Sequence, residues 1–200
     1  MSDSSGRDLP RPRIVERRTV FEGWSRIELL TIEWTRPDRQ SERHDREVID
    51  HGMPAAVLPV DRERGVALVT RQWRAAKHEA AGDGWMLEAA AGFIDKGESP
   101  EAAAIREAEE ELGVRLREVR KVGSVMPASG ILTEVLHLYL ADYAAADCVE
   151  DGGGAAGEGE LIEVVEMPLA DLFAMARAGR IDDAKTLILV QALMLGHGMP

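Results

Sequence analysis

A mixed α/β (α+β) fold, with helices sandwiched over a mixed sheet, is what this sequence predicts, and three observations predict it. Short runs of alternating or β-rich residues recur along most of the chain. Helical stretches with recognisable ends lie among them at irregular intervals, and no internal repeat orders the two. The length of 200 residues and an apolar content of 45% suit one packed domain, with a small appendage at most.

Residues 1–13 are polar, carry two prolines and are expected to be a loosely attached tail. Arg11, Arg13, Arg17 and Arg18 are read there as solvated charges rather than as an anion site. Residues 14–50 are expected to form an N-terminal β segment. Within it, residues 26–34 (RIELLTIEW) roughly alternate as a strand does, residues 37–43 are polar and predict a turn, and residues 46–49 resume an extended course. The main domain is expected over residues 51–200. Residues 55–60 and 66–70 are two β-rich runs separated by DRERG, a hairpin pattern. Residues 85–90 predict another strand, ending at Gly92. Ser99 and Pro100 open a helix as N-cap and first helical residue, and Gly113 stops it after Leu112. Strands follow around residues 119–125 and 134–141. The second has a period of two, with Leu136, Leu138 and Leu140 on one side and Val135, His137 and Tyr139 on the other. Residues 151–160 (DGGGAAGEGE) have the composition of a flexible loop. One more strand at residues 161–167 and two helices, at residues 168–178 and about 183–195, close the chain.

Charge narrows the functional classes. There are 24 basic and 36 acidic residues, a formal net charge of −12. That disfavours a grip on nucleic acid, which needs clustered Lys and Arg. It also means that a phosphate substrate would require a metal cation to hold it. Cys148 is the single cysteine, so neither an internal disulfide nor a cysteine-based zinc site is expected. No apolar run approaches the roughly 18 residues of a membrane span, and the first residues lack the apolar core of a secretory signal. A cytoplasmic protein without membrane partners is the expectation. The five histidines show no metal spacing, and neither a G-x-S-x-G elbow nor a P-loop is present.

The informative stretch is residues 92–114, GFIDKGESPEAAAIREAEEELGV. Glu107, Glu110 and Glu111 are three and four apart on the expected helix and share a face, opposite a stripe of Ala104, Ala108 and Leu112. Like charges so spaced cost about 0.2–0.5 kcal/mol per pair, and Arg106 reaches its i,i+4 partner Glu110 to relieve one of them. Oxygen donors without His or Cys favour a hard cation, Mg2+ first and Mn2+ second. Taken alone, such a run is usually a solvated helix face. The whole segment decides otherwise, because Gly92, Glu98, Arg106, Glu107, Glu110, Glu111 and Gly113, with apolar Ala108 and Val114, reproduce every defined position of one motif. At roughly one chance in twenty per fixed position, an accidental match is on the order of one in a million or rarer.

The segment resembles the Nudix box, and the chain is therefore similar to Nudix hydrolases, which cleave nucleoside diphosphates linked to another moiety. The resemblance implies an α/β/α sandwich around a mixed sheet. It implies metal ligation by Glu107, Glu111 and the backbone carbonyl of Ala91, with Glu110 in the same cluster. Within the box, Gly92 permits a tight loop where backbone nears metal or phosphate. Glu98, just before the helix, is positioned to pair with Arg106.

Flanking segments resemble the ADP-ribose and ADP-sugar pyrophosphatase branch: RQWR at residues 71–74, WMLEAAAG at 85–92 and MPASGILTEVLHLYLA at 126–141. Arg71 and Ser129 depart from that branch's usual residues, whereas Gly130 and Glu134 are retained. GRIDDAKT at residues 179–186 also occurs in relatives that cleave GDP-mannose. The branch implies that Glu134 contacts the terminal ribose and that Arg74 binds a phosphate or the adenine side. It implies that Glu158 is the general base on the attacking water and that Glu160 reaches a metal. It also implies a homodimer that exchanges N-terminal segments, so that Trp24 stacks on the partner subunit's nucleotide. The expected reaction is hydrolysis of ADP-ribose to AMP and ribose 5-phosphate, the alternative being GDP-mannose or sugar nucleotides more broadly. A silent nucleotide sensor is disfavoured because every box glutamate is present.

Overall fold

The structure, a computed structural model, describes residues 12–36, 40–154 and 161–197. The chain divides into two units, one holding the residues up to His51 together with Ala128–Glu134, the other Gly52–Pro127 and the chain from Val135 onward.

The first unit is an antiparallel sheet of β1 (Arg13–Glu22), β2 (Arg26–Thr35) and β3 (Ser41–Asp50), in that order. The register of β2 on β3 runs without a break from Arg26↔Asp50 to Thr35↔Ser41. The expected turn extended to residue 43, yet β3 begins at Ser41. Polar cross-strand pairs explain the longer strand: Arg36 reaches Glu42 at 2.6 Å, Thr31 donates to Asp45 at 2.7 Å, and Glu33 is held by Arg13 at 2.6 Å and Arg43 at 2.9 Å. Arg13 and Arg17 are accordingly strand residues rather than tail, and Arg17 pairs with Glu28 at 3.2 Å. Arg11 lies outside the described residues. β1 is exposed at every position, including Ile14, Val15, Val20 and Phe21. The segment 128–134 docks on the end of β3, where Ile49 N–H donates to Ile131 O at 2.8 Å and Thr133 N–H to Ile49 O at 3.0 Å.

The second unit is the α/β/α sandwich. Its strands are β4 (Pro54–Asp61), β5 (Val66–Trp73), β6 (Trp85–Glu88), β7 (Ala90–Phe93), β8 (Arg120–Val125), β9 (Leu136–Asp142) and β10 (Ile162–Pro168). They order as β10-β5-β4-β9-β8, with β6 on β5 and β7 on β4. The β4–β9 pair is parallel and its neighbours are antiparallel, so the sheet is mixed as expected. The helices are α1 (Ala75–Ala81), α2 (Pro100–Leu112), α3 (Leu169–Arg177) and α4 (Ala184–Met194). The alternation along β9 serves two cores. Leu136, Leu138 and Leu140 pack with Leu172 of α3 and with Leu189 and Val190 of α4. Tyr139 packs with Ala103, Ala104, Ala108 and Leu112 of α2. His137 is half-buried, its Nδ1 at 3.1 Å from Ser124 Oγ.

Two local departures prepare the site. The β4–β5 hairpin is paired only at Val60↔Ala67 and Asp61↔Val66 before its strands part. The single strand expected at residues 85–90 is broken at Ala89, where the chain leaves β5 for β4. Thr186 Oγ1 of α4 accepts the Ala89 N–H at 2.6 Å and pins that crossover. The chain then delivers Ala91 and Gly92 against α2.

Candidate active site

Helix α2 has the ends its sequence predicts. Ser99 Oγ accepts the Ala102 N–H at 3.1 Å, Pro100 starts the helix, and Gly113 is left-handed with φ 66°. Docking the alanine stripe on the sheet also turns two glutamates inward. Glu107 is 8% exposed and Glu111 5%, whereas the Glu110 side chain, at 39%, stays at the rim. The expected single acidic face is thus divided into a buried pair and an outer member.

Two backbone features receive the buried pair. Ala91 N–H donates to Glu111 Oε2 at 3.1 Å. A Cβ on Gly92 would fall on the Glu107 carboxylate. Gly92 is not among the left-handed glycines. The box glycine is therefore required for space beside a carboxylate, not for the tight turn that the sequence implied.

Arg106 binds this cluster from outside. Its Nε and Nη2 reach Glu98 at 3.1 and 3.2 Å, Nη1 reaches Glu107 at 2.6 Å and Glu110 at 2.8 Å, and Nη2 donates to Phe93 O at 2.9 Å. The Glu98 pairing was expected; the simultaneous hold on Glu107 was not. The Arg106 guanidinium keeps the Glu98 carboxyl below its ordinary range, helped by the Asp95 N–H. Glu98 in turn raises the arginine well above its own.

Arg74, expected to meet phosphate or base, lies in a fork on Glu88, with Nε at 2.7 Å and Nη2 at 3.0 Å. Lys185 bonds the same carboxylate and also Asp183, which caps α4 by accepting the Thr186 N–H at 2.9 Å. Burial pushes the Glu88 carboxyl up, but Arg74 and Lys185 outweigh it and leave it below the ordinary range. Glu88, Lys185 and Thr186 escaped sequence reasoning, although they stand in the WMLEAAAG and GRIDDAKT segments that carry the family pattern.

In the first unit, Trp24, His51 and Glu134 come together. The Trp24 ring is 78% exposed and stacks on His51, centroids 5.4 Å apart at 14°. His51 Nε2 lies 2.8 Å from Glu134 Oε2. Gly130 belongs to the turn that leads to Glu134. Glu158 and Glu160 lie outside the described residues. Among the described residues, no three Asp, Glu, His or Cys side chains gather as a complete metal site.

The NUDIX domain model matches residues 50–189. The chain belongs to the Nudix hydrolase family. Among its Nudix relatives, the GDP-mannose pyrophosphatase of Cronobacter sakazakii is 38% identical over 183 residues, covering 91% of this chain and 94% of that protein. The GDP-mannose pyrophosphatase of Klebsiella pneumoniae is 37% identical over 181 residues, 90% of each. The chain is similar to the crystal structure of an ADP compounds hydrolase, with a TM-score of 0.73. That match covers 97% of this chain and 100% of the other at 19% identity, a likeness of fold. No helix among the described residues is long and apolar enough to cross a membrane.

Proposed function

We propose that the protein hydrolyses the pyrophosphate of a nucleotide sugar with the help of Mg2+, which Mn2+ can replace. The observation that carries this is the buried Glu107–Glu111 pair facing the Ala91–Gly92 backbone. The donors are all oxygen, as a hard divalent ion requires. Gly92 leaves room for the Glu107 carboxylate, which a side chain at that position would displace. The residues therefore fit such an ion, held by Glu107, Glu111, the Ala91 carbonyl and Glu160. When bound, it neutralises the diphosphate and acidifies a coordinated water. Arg106 orients Glu107 and Glu110, and Glu158 takes the proton of the attacking water. One P–O bond forms as the bridging P–O bond breaks, giving a nucleoside monophosphate and a sugar phosphate.

GDP-mannose is the leading substrate, yielding GMP and mannose 1-phosphate. The names of relatives that align over nine-tenths of the chain support it, as does the GRIDDAKT segment. ADP-ribose is the second reading, supported by the retained Gly130 and Glu134 in the branch pattern. Trp24 and Glu134 are assigned to base and sugar, whereas Arg74, which the branch pattern sets on phosphate or base, is held by Glu88 and is assigned to fixing that carboxylate. A homodimer accounts for β1, whose apolar side chains Ile14, Val20 and Phe21 are exposed on an edge strand. The test is a panel of GDP-mannose, ADP-ribose and other nucleotide sugars with Mg2+, products resolved by chromatography. Faster release of AMP than of GMP would reverse the order of the two substrates. Release of neither would defeat the proposal.

A further inference from the structure

We propose that Gly152 is a positioning residue for the box carboxylates, because the segment 147–154 clamps the last turn of α2 through contacts that admit no side chain at 152. The inference rests on the reading given above of Glu111 as a residue that holds the metal ion.

The last carbonyls of an α-helix lack partners within the helix. In α2 the chain beyond Cys148 provides them: Gly153 N–H donates to Glu111 O at 2.9 Å and Gly154 N–H to Glu110 O at 3.1 Å. The approach is guided by antiparallel pairing just before it. Arg115 N–H donates to Asp147 O at 2.9 Å, Val149 N–H donates to Gly113 O at 2.8 Å, and Val114 bridges Cys148. Two glycines then face one another. A Cβ on Gly152 would stand 2.5 Å from Glu111 O, 2.8 Å from Leu112 C and 2.9 Å from Gly113 N. A Cβ on Gly113 would fall on Glu150 O. All these neighbours are backbone, so relief requires the helix end and the segment to separate.

The carbonyls so held belong to Glu110 and Glu111 themselves. Glu111 is fixed at both ends, its carbonyl by Gly153 and its carboxylate by Ala91 N–H. A displacement of about 1 Å at such a residue can cost on the order of a hundredfold in rate.

The test compares Gly152→Ala with Gly65→Ala. Gly65, in the β4–β5 turn, has φ 67° against 69° for Gly152, but no atom lies within 4 Å of its added Cβ. Both variants carry the same left-handed strain, and only the first carries the clash. Gly152→Ala is expected to lower kcat on GDP-mannose by about tenfold or more with KM changed less than about threefold, and to weaken Mg2+ binding measured calorimetrically on the substrate-free protein. Gly65→Ala is expected to match the wild type in all three. A folded Gly152→Ala protein that matches Gly65→Ala overturns the proposal. If Gly152→Ala does not fold, amide exchange in the wild-type chain decides. Gly153 and Gly154 should exchange at least about a hundredfold slower than free peptide, and unprotected exchange at both overturns the clamp. An inactive wild type would instead count against the hydrolase reading, and the exchange measurement would still judge the clamp.

Discussion

Arg106→Ala tests whether the box is held together by a single cation. The substitution deletes contacts to Glu98, Glu107, Glu110 and Phe93 O at 2.6–3.2 Å. It leaves Glu107 buried beside two other carboxylates of its own helix. Breaking a buried ion pair from one side costs about 3–5 kcal/mol. The Arg106 side chain is 30% exposed and that of Glu110 39%, so solvent screening trims the loss to about 2–4 kcal/mol. For a chain of this size each kcal/mol moves Tm by about 2–4 °C, which gives a drop of about 4–16 °C. Arg106→Lys should fall between, since an ammonium cannot span three carboxylates and a carbonyl. The assay is thermal unfolding of the three proteins with and without Mg2+. A ligand at a hundred times its Kd stabilises the native state by about 2.7 kcal/mol. Without the arginine, Mg2+ should raise Tm more in Arg106→Ala than in the wild type, because the same carboxylates then meet the ion uncompensated. Metal-free Arg106→Ala melting within about 1 °C of the wild type would refute the reasoning.

Four further outcomes are expected. Glu107→Gln and Glu111→Gln should each lose at least about a hundredfold in turnover, near 3 kcal/mol of transition-state stabilisation, while melting no lower than the wild type; unchanged turnover would remove them from the metal site. Gly92→Ala should resemble Glu107→Gln in turnover, because its Cβ displaces the Glu107 carboxylate, and a fully active Gly92→Ala enzyme would contradict that packing. Trp24→Ala should raise KM about tenfold with a smaller change in kcat, the scale of losing one stacked base; an unchanged KM would free Trp24 from nucleotide binding. Finally, because the Glu88 carboxyl is held below its ordinary 4.5, its stabilisation is present above that value and is lost as pH falls through the folded one. Tm followed from pH 6 downward should fall less steeply below about 4.5 in Glu88→Gln than in the wild type, and parallel curves would contradict the shift.

How far the sequence reaches depends on whether a feature is set by neighbours in the chain. Helix α2 is legible end to end because Ser99, Pro100 and Gly113 are local signals, and the box spacing places its carboxylates. The turn before β3 is misjudged because charged residues there satisfy one another across the sheet, a pairing that spacing does not display. Helix α1 is missed because AAKHEAA is seven residues long and buries none of them, so it leaves no amphipathic period. The partner of Arg74 is invisible for another reason. Glu88 lies on β6 and Lys185 on α4, 97 residues further on, and only the folded sheet and helix bring them to one carboxylate. Gly92 is the subtler case. The motif marks it correctly, but its reason is the Glu107 side chain from a different element, which no local reading supplies.

The same contacts bear on how an acidic chain can handle a diphosphate. Arg106 is engaged by Glu98, Glu107 and Glu110, and Arg74 and Lys185 converge on Glu88. Each of these three cations already neutralises protein carboxylate. A substrate diphosphate would have to break such pairs to use them, leaving buried Glu88 or Glu107 unpaired at a cost of about 3–5 kcal/mol. A divalent ion held by Glu107 and Glu111, as proposed above, would avoid that exchange, because it would bring its own positive charge to the phosphate. On this account the net charge of −12 and a polyanionic substrate are compatible, and the number of carboxylates around Arg106 reflects two functions. Glu98 and Glu110 complete a rigid frame around the arginine, so that Glu107 is oriented without being neutralised by it alone.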